Sequence, residues 1–383
     1  MPIMQDINFP EVPFHHNIVS DIIELERVRA DLRGENLFVP VAIELRRLFQ
    51  SLTSMMSARI EGNRTTVAQA ILEADSVEEH GGRASDAVQE ILQLDEATRY
   101  IDDLADQDHL HLTHTFIREL HALSLQGLER EGDRNPGSYR PHDVEITGSA
   151  HRPPGAASVA ADMDQLLDFA TKEVPPQQQL LQTAIVHHRF VWIHPFSNGN
   201  GRVARLLTYA MLIQQGYTSS SGIRALNPTA VFGADRQAYY NHLALADSLR
   251  PGDVLDWCCY VVHGLREDLA AVHRLSDPHA VLHEVYRPAL DSAVAERTLS
   301  ESQAQVLFEV IQKGVCKAGD LEHVLPGSSS NRSHKLSALV DAKYLRRVEN
   351  RRLYTVRLVP NPLTIHVVRR LDELGLLPAI LRD

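Results

Sequence analysis

The sequence predicts a mainly α-helical protein with one short β-hairpin near its middle and a winged helix-turn-helix at its C-terminal end. Three observations predict this. Apolar residues recur at three- and four-residue steps through most of the chain. The stretch 139–154 alternates instead, and the C-terminal part runs helix, helix, helix, hairpin.

Taken in order, Val39–Ala58 places Leu45, Leu48, Leu52 and Met55 on one face, with Pro40 near the start where a helix tolerates it. Ala84–Leu104 is amphipathic through Val88, Ile91 and Leu92, and Leu112–Leu128 runs into the loop-like EGDRNPG. Tyr139–Pro154 (YRPHDVEITGSAHRPP) reads as the hairpin, from Val144, Ile146 and Gly148. Helices resume at Ala157–Thr171, Gln177–Val191, Arg202–Gln215, Arg236–Ala246 and Val254–Leu269. After Ser276-Asp277-Pro278, Ser300 caps a helix Glu301–Lys313, followed by helices near Ala318–Val324 and Asn331–Asp341. Leu345–Val348 and Leu353–Leu358 flank Asn350 as a two-stranded wing.

Composition narrows the classes. The chain has 383 residues, 44% apolar and 23% charged, as in ordinary folded proteins. A net charge of −12 argues against nucleic-acid binding by the whole molecule. Three cysteines, Cys258, Cys259 and Cys316, offer neither a disulfide framework nor zinc spacing, which points to a reducing cytoplasm. The N-terminus lacks the pattern of a signal peptide, and no apolar run is long enough for a bilayer, so no membrane partner is expected.

The informative stretch is Ile193–Arg205, IHPFSNGNGRVAR. Glycines alternating with asparagines (Asn198, Gly199, Asn200, Gly201) let successive N–H groups converge into an anion-binding nest. A helix begins directly afterwards, so its N-terminus adds to the attraction for phosphate. Arg202 and Arg205 share a helix face and reach neighbouring phosphates. His194, with a near-neutral titration, suits a general base for a hydroxyl. Any one of these features is ordinary; a histidine before proline is usually structural and a lone glycine pair is usually a turn. Together within thirteen residues they describe a site that grips a polyphosphate and activates a hydroxyl.

HPFSNGNGRVAR resembles the Fic signature HPFx(D/E)GNGRxxR, and HHRFVWIHPF, GSYRPHDVEITGSAHRPP and TYAMLIQQGY extend the likeness over roughly residues 40–275. The resemblance implies a helical Fic core and transfer of AMP from ATP to a Ser, Thr or Tyr hydroxyl of a protein, with phosphate, UMP and phosphocholine transfer as family variants. It makes His194 the base. Gly199, Asn200 and Gly201 become the cradle for the α- and β-phosphates, Arg202 a β-phosphate contact and Arg205 a γ-phosphate contact. Phe196 becomes a core anchor. Val144, Glu145, Ile146, Thr147 and Gly148 become a flap that docks the target as an added strand. Tyr239 and Tyr240 lie where the family often contacts the base; an aromatic core face is the other reading. The departure is Asn198, where the family has an acid for Mg²⁺. An amide brings an oxygen but no charge, so the metal is expected to be held chiefly by the nucleotide.

Upstream, Ser57-Ala58-Arg59-Ile60-Glu61-Gly62 resembles the family's inhibitory motif (S/T)xxxE(G/N). Ser57 and Glu61 are one turn apart and Gly62 ends the helix. The resemblance implies that Glu61 forms a bidentate pair with Arg205 and occupies the place of the γ-phosphate. His109, His111 and His114 read as a loop entering a helix and not as a metal site, and His187 and His188 as scaffold.

Between Lys313 and Arg357 ten basic residues face four acidic ones, which leaves −18 on the remainder. Such segregation suits a DNA-binding appendage, with Asn331, Arg332, Ser333, His334 and Ser337 at base edges; winged helices also dock proteins. The expected organisation is a helical region 1–82 carrying the inhibitory helix at about 45–62, a Fic core 83–275, and a winged-helix domain 276–383. The expected activity is a self-inhibited protein adenylyltransferase using ATP and weakly held Mg²⁺. Its partners would be a hydroxyl-bearing target protein, the chain itself as a substrate, DNA, and a second copy as a two-fold dimer. The competing reading is a nucleotide-binding regulator without catalysis, or a Fic enzyme transferring another phosphate-linked group.

Overall fold

Polar residues placed one step ahead of apolar runs start the helices. Thr66 forms a capping box with Gln69 ahead of α3 (Val67–His80). Ser85 accepts from Val88 N–H ahead of α4 (Asp86–Asp106), and Thr113 from Phe116 N–H ahead of α5 (His114–Leu125). The computed structural model describes residues 6–32, 39–129, 132–217, 228–274, 277–348, 352–359 and 361–381. Its first two helices are α1 (Asn17–Leu32) and α2 (Val39–Ile60). No described helix is long and apolar enough to cross a membrane.

At the centre lies α7 (Pro176–Ile193), buried on almost every side from Leu180 to Ile193. It packs against α6 (Val159–Thr171), α8 (Asn200–Gln214) and α11 (Pro251–Arg274). Because all its faces are covered, α7 carries little amphipathic signal. The α8 helix rests in turn on α4 and α5. Short helices α9 (Pro228–Ala234) and α10 (Arg236–Ala246) close one side, α10 capped by Asp235.

The C-terminal part runs through α12 (Pro278–Ala280), a π-helical stretch Val281–Tyr286, α13 (Arg287–Ala295), α14 (Glu301–Lys313) and α15 (Ser329–Asp341). Ser300 caps α14 with a capping box and Ser328 caps α15. Strands β1 (Leu345–Arg347) and β2 (Tyr354–Val356) pair antiparallel, with Arg346 opposite Thr355. Then α16 (Pro362–Glu373) begins behind the Asn361 cap and packs on α13. The expected helix 318–324 is only a 3₁₀ turn, Ala318–Leu321. Ser276, where the boundary was expected, and Asn350, expected between two wing strands, lie outside the described residues.

Two expectations are corrected here. Val144–Gly148 forms no strand ladder: Ser149 N–H donates to Ile146 carbonyl in one turn, and Gly148 takes φ +78. Its arms are joined by side chains and not by a backbone ladder: Arg152 pairs with Glu145 and Asp143 accepts from Ala156 N–H, while His151 donates to the Trp192 carbonyl of the body. A two-stranded ribbon with no third strand or facing layer is only marginally stable, so side-chain ties prevail. Arg332, expected at a base edge, is buried, donating to Glu322 and the Gly327 carbonyl. Beyond these, Arg346 of β1 pairs with Glu44.

That last contact joins the halves of the molecule. Glu44 on α2 is wholly buried, its oxygens accepting from Arg346 Nε (3.1 Å), Arg47 Nη1 (3.1 Å) and Leu358 N–H (2.9 Å). At the other end of α2, Arg59 donates to the Ile380 carbonyl at 2.6 Å. Lys343 pairs with Asp75 of α3.

Candidate active site

The loop between α7 and α8 is shaped from inside. His194 ends α7 in a left-handed conformation (φ +53, ψ +58), its N–H donating to the Phe190 carbonyl at 3.0 Å. The following Pro195 disfavours continued helix, and such a conformation costs a non-glycine residue energy that its surroundings must offset. Arg140 does so: its Nε donates to the His194 carbonyl at 2.7 Å, and its own N–H to the Pro195 carbonyl at 2.9 Å. Phe196 is buried and stacks on His121, ring centres 3.8 Å apart. The Asn200 side chain bonds both the N–H and the carbonyl of Phe196, each at 2.9 Å. Asn200 is therefore the staple of the loop; its side chain is not part of the cradle.

Gly199 then turns left-handed (φ +73) and starts α8 with no side chain capping the helix. A β-carbon there would stand 2.9 Å from Leu125. Uncapped N–H groups at the start of a helix draw an anion, and Glu61 supplies one. Its Oε1 lies so close over Gly201 that a methyl at 201 would overlap it. Gly62, at φ +106, turns the chain just past Glu61.

Glu61 accepts from Arg205 Nη2 at 2.7 Å. The pair has this one contact and is not bidentate, because Arg205 Nε goes to Ser57 Oγ at 2.8 Å and Nη2 also to the Ser57 carbonyl at 3.1 Å. Arg205 Nη1 is buried without a partner. Burial alone would raise the Glu61 carboxyl; Arg205 and Arg202 outweigh it and hold the group below its ordinary value. Arg202 is 1% exposed and its Nη1 donates to Glu90 of α4 at 2.9 Å.

His194 Nδ1 donates to the Val191 carbonyl at 3.2 Å, so the neutral ring carries its lone pair on Nε2. Burial pushes the ring down to about 4, which keeps it neutral at pH 7.

The two tyrosines part company. Tyr239 is 1% exposed and shares a hydrogen bond with His187 Nε2 at 2.9 Å, among Phe232 and Trp257; it belongs to the core. Tyr240 is 37% exposed beside Glu61, with Arg236 over its ring. His188 pairs with Asp247, and His114 with Tyr139 and Asp164.

A polyphosphate fits this donor set, given an uncapped helix start, a glycine cradle and an unpartnered guanidinium N–H. A protein-held magnesium fits poorly. Asn198 Oδ1 accepts from Gly199 N–H at 2.7 Å, and the segment 193–205 contains no carboxylate. A cavity of about 550 Å³ opens beside the Glu61–Gly62 turn, walled by Glu61, Asn63, Glu73 and Glu90.

Sequence reasoning missed Glu90, Arg140 and His121. Glu90 left a signal, since it falls in line with buried Leu94, Ala97 and Ile101 on α4, and a carboxylate on an apolar stripe needs a cation. Nothing in the spacing marks Arg140 or His121.

The Fic/DOC family model matches residues 111–212, which take in this loop and most of α8. Residues 111–212 thus resemble a Fic/DOC domain. The chain is 34% identical to the protein adenylyltransferase Fic of Drosophila willistoni over 52% of this chain and 36% of that one. With the protein of the same name from Nematostella vectensis it shares 28%, over 62% of this chain and 52% of that one. The chain thus spans about a third to a half of the length of these curated relatives. Among solved structures, a Fic family protein from Desulfovibrio desulfuricans G20 superposes with TM-score 0.54 at 22% identity, covering 91% of this chain and 98% of that one. A Fic domain containing signaling protein from Bacteroides thetaiotaomicron VPI-5482 gives 0.53 at 22%, covering 67% and 96%. These likenesses establish a Fic fold around the loop.

Proposed function

We propose that the protein is an adenylyltransferase that moves AMP from ATP onto a Ser, Thr or Tyr hydroxyl of a protein, and that Glu61 restrains it. The observation that carries this is the Glu61 carboxylate seated between the uncapped start of α8 and Arg205, where an anion of the nucleotide would bind. The names of the curated relatives support the same chemistry.

In the reaction, His194 Nε2 takes the proton of the target hydroxyl while the Val191 carbonyl holds Nδ1–H. The hydroxyl oxygen bonds to the α-phosphorus, the bond to the β-phosphate bridging oxygen breaks, and pyrophosphate leaves. The first N–H groups of α8, Arg202 and Arg205 stabilise the departing charge. Magnesium enters with the nucleotide, where it would neutralise phosphate charge; no step is assigned to Asn198. Val144 and Glu145 belong to no strand ladder and offer a target peptide an edge to pair with, which supports the flap reading.

The module after residue 276 is proposed as a winged helix. Asn331, Ser333, His334, Lys335 and Arg347 are exposed on it and suit DNA; Arg332 does not. A two-fold dimer, self-modification and a cytoplasmic setting belong to the same reading. One observation favours a second reading, a non-catalytic regulator: Asn198 replaces the family's acid and turns its oxygen onto Gly199 N–H.

The test incubates wild type, Glu61→Gly and Glu61→Gly/His194→Ala with magnesium and ATP labelled at the α- or γ-phosphate. Protein labelling from α-label alone, raised about tenfold or more by Glu61→Gly and abolished with His194, is the expected result. Label from the γ position alone means phosphotransfer. Nucleotide binding without labelling in any variant selects the regulator.

A further inference from the structure

Glu61 is not the only carboxylate held on the phosphate-facing arginines. Arg202 and Glu90 form a second ion pair, 2.9 Å long, with side chains 1% and 6% exposed. Glu90 comes from α4, an element that the inhibitory motif does not include. Its other oxygen, Oε2, accepts from Asn63 Nδ2 at 2.9 Å. Asn63 directly follows Glu61-Gly62, also donates to the Ala87 carbonyl at 2.8 Å, and gives its backbone N–H to the Ala58 carbonyl at 3.0 Å. The inhibitory turn thus lays one carboxylate on Arg205 and holds a second on Arg202.

We propose that Glu90 is a positioning residue that locks Arg202 away from the β-phosphate, and that Asn63 ties this lock to the Glu61 turn. The inference rests on the nucleotide reading of the site. Its electrostatics are simple: Arg205 and Arg202 each already hold a carboxylate, Glu61 and Glu90, before a nucleotide arrives. The β- and γ-phosphates bring negative charge into a buried space, where like charges repel strongly. Each phosphate therefore has its own carboxylate to displace, the γ-phosphate Glu61 and the β-phosphate Glu90. When Arg202 leaves Glu90, Glu90 is freed to move and its hold on Asn63 loosens. Occupation of the β-phosphate position then weakens the seat of the Glu61 turn.

ADP and AMP separate this lock from that of Glu61, because ADP has a β-phosphate and no γ-phosphate, and AMP has neither. The experiment is calorimetric titration of ADP, AMP and ATP into the full chain as wild type, Glu90→Gln, Glu90→Asp and Glu61→Gly, with thermal unfolding of each. Glu90→Gln should bind ADP about tenfold more tightly than wild type, with AMP within about twofold. Glu90→Asp keeps the charge but draws it back, and should tighten ADP by a smaller factor. It decides the matter should Glu90→Gln not fold. Glu61→Gly should favour ATP more than ADP. A purely structural Glu90 would shift the unfolding temperature without distinguishing ADP from AMP, and that result overturns the lock. So does unchanged or weaker ADP binding in folded variants, or no ADP binding by any of the proteins. If ADP tightens as described while no variant labels protein from ATP, the lock stands and the adenylyltransferase reading falls.

Discussion

The Glu61 carboxylate occupies the space in which a side chain at Gly201 would begin. Gly201 lies in the first turn of α8 with no need of a left-handed backbone, so its lack of a side chain serves the approach of Glu61. Gly201→Ala should therefore destabilise the wild type by about 1–3 kcal/mol through overlap with Glu61 and crowding of Arg205. In a Glu61→Gly background it should instead stabilise by about 0.5–1 kcal/mol, as alanine does in a helix. Denaturant unfolding of the four proteins checks this, and additive effects would refute it.

Removing Glu61 leaves the buried Arg205 charge unpaired. Breaking a buried pair commonly costs about 3–5 kcal/mol, but 29% of the Glu61 side chain faces solvent, so the cost is scaled down. Glu61→Gly should lose about 1–3 kcal/mol, and excess inorganic phosphate should restore part of it by filling the vacated place. A loss that phosphate leaves untouched would show that no anion takes over the position.

Protonation of His194 and His121 opposes folding. Burial pushes both down to about 4, whereas the unfolded chain takes up these protons near 6.5. The unfolded state binds more protons between these values, so stability is full above pH 6.5 and is lost as pH falls towards 4. Asp95, raised by burial to about 6, acts the other way with Asp102 and Asp162, but burial also holds His187, His188 and His366 below their ordinary value, so five histidines stand against three acids. The unfolding temperature should fall between pH 7.5 and pH 5, and NMR titration of the His194 ring should centre near 4. A midpoint at or above 6.5 would contradict the buried, neutral ring.

The two asparagines of the loop should answer oppositely to an added charge. Asn200 Nδ2 donates to the Phe196 carbonyl, so Asn200→Asp sets oxygen against oxygen in a buried site and should cost about 2 kcal/mol or more. Asn198 Oδ1 accepts from Gly199 N–H, and Nδ2 donates to the Gly132 carbonyl only at a long 3.4 Å, so Asn198→Asp keeps the short bond, adds charge beside the start of α8, and should change stability by less than about 1 kcal/mol. Unfolding curves for both, with the magnesium dependence of any labelling by Asn198→Asp, test the assignment. Equal losses would contradict it.

Features with a local cause were legible in the sequence. Helix Arg236–Ala246 stands where Asp235 can cap it, and Glu301–Lys313 lies between the Ser300 capping box and Gly314. The loop at 194–200 could be found because its glycines and asparagines follow the bends they make. Contacts between distant segments left weaker traces. Arg202 and Glu90 are 112 residues apart and met only through folding. Tyr239 and Tyr240 are neighbours in sequence, yet packing buried one and left the other at the surface. The alternation at 144–146 produced no strand ladder, because whether a segment finds a strand partner is decided elsewhere in the chain.

The two ends of α2 are gripped from the C-terminal part, Glu44 by Arg346 and Leu358, Arg59 by Ile380. The helix that brings Glu61 to Arg205 is therefore a wall common to both parts of the molecule. In a fragment cut near residue 275 a buried acid would open to water and the foot of the Glu61 turn would lose its brace. Such a fragment would report on a protein with one wall removed, and a ligand pulling on the β1–β2 ribbon would be felt first at Glu44.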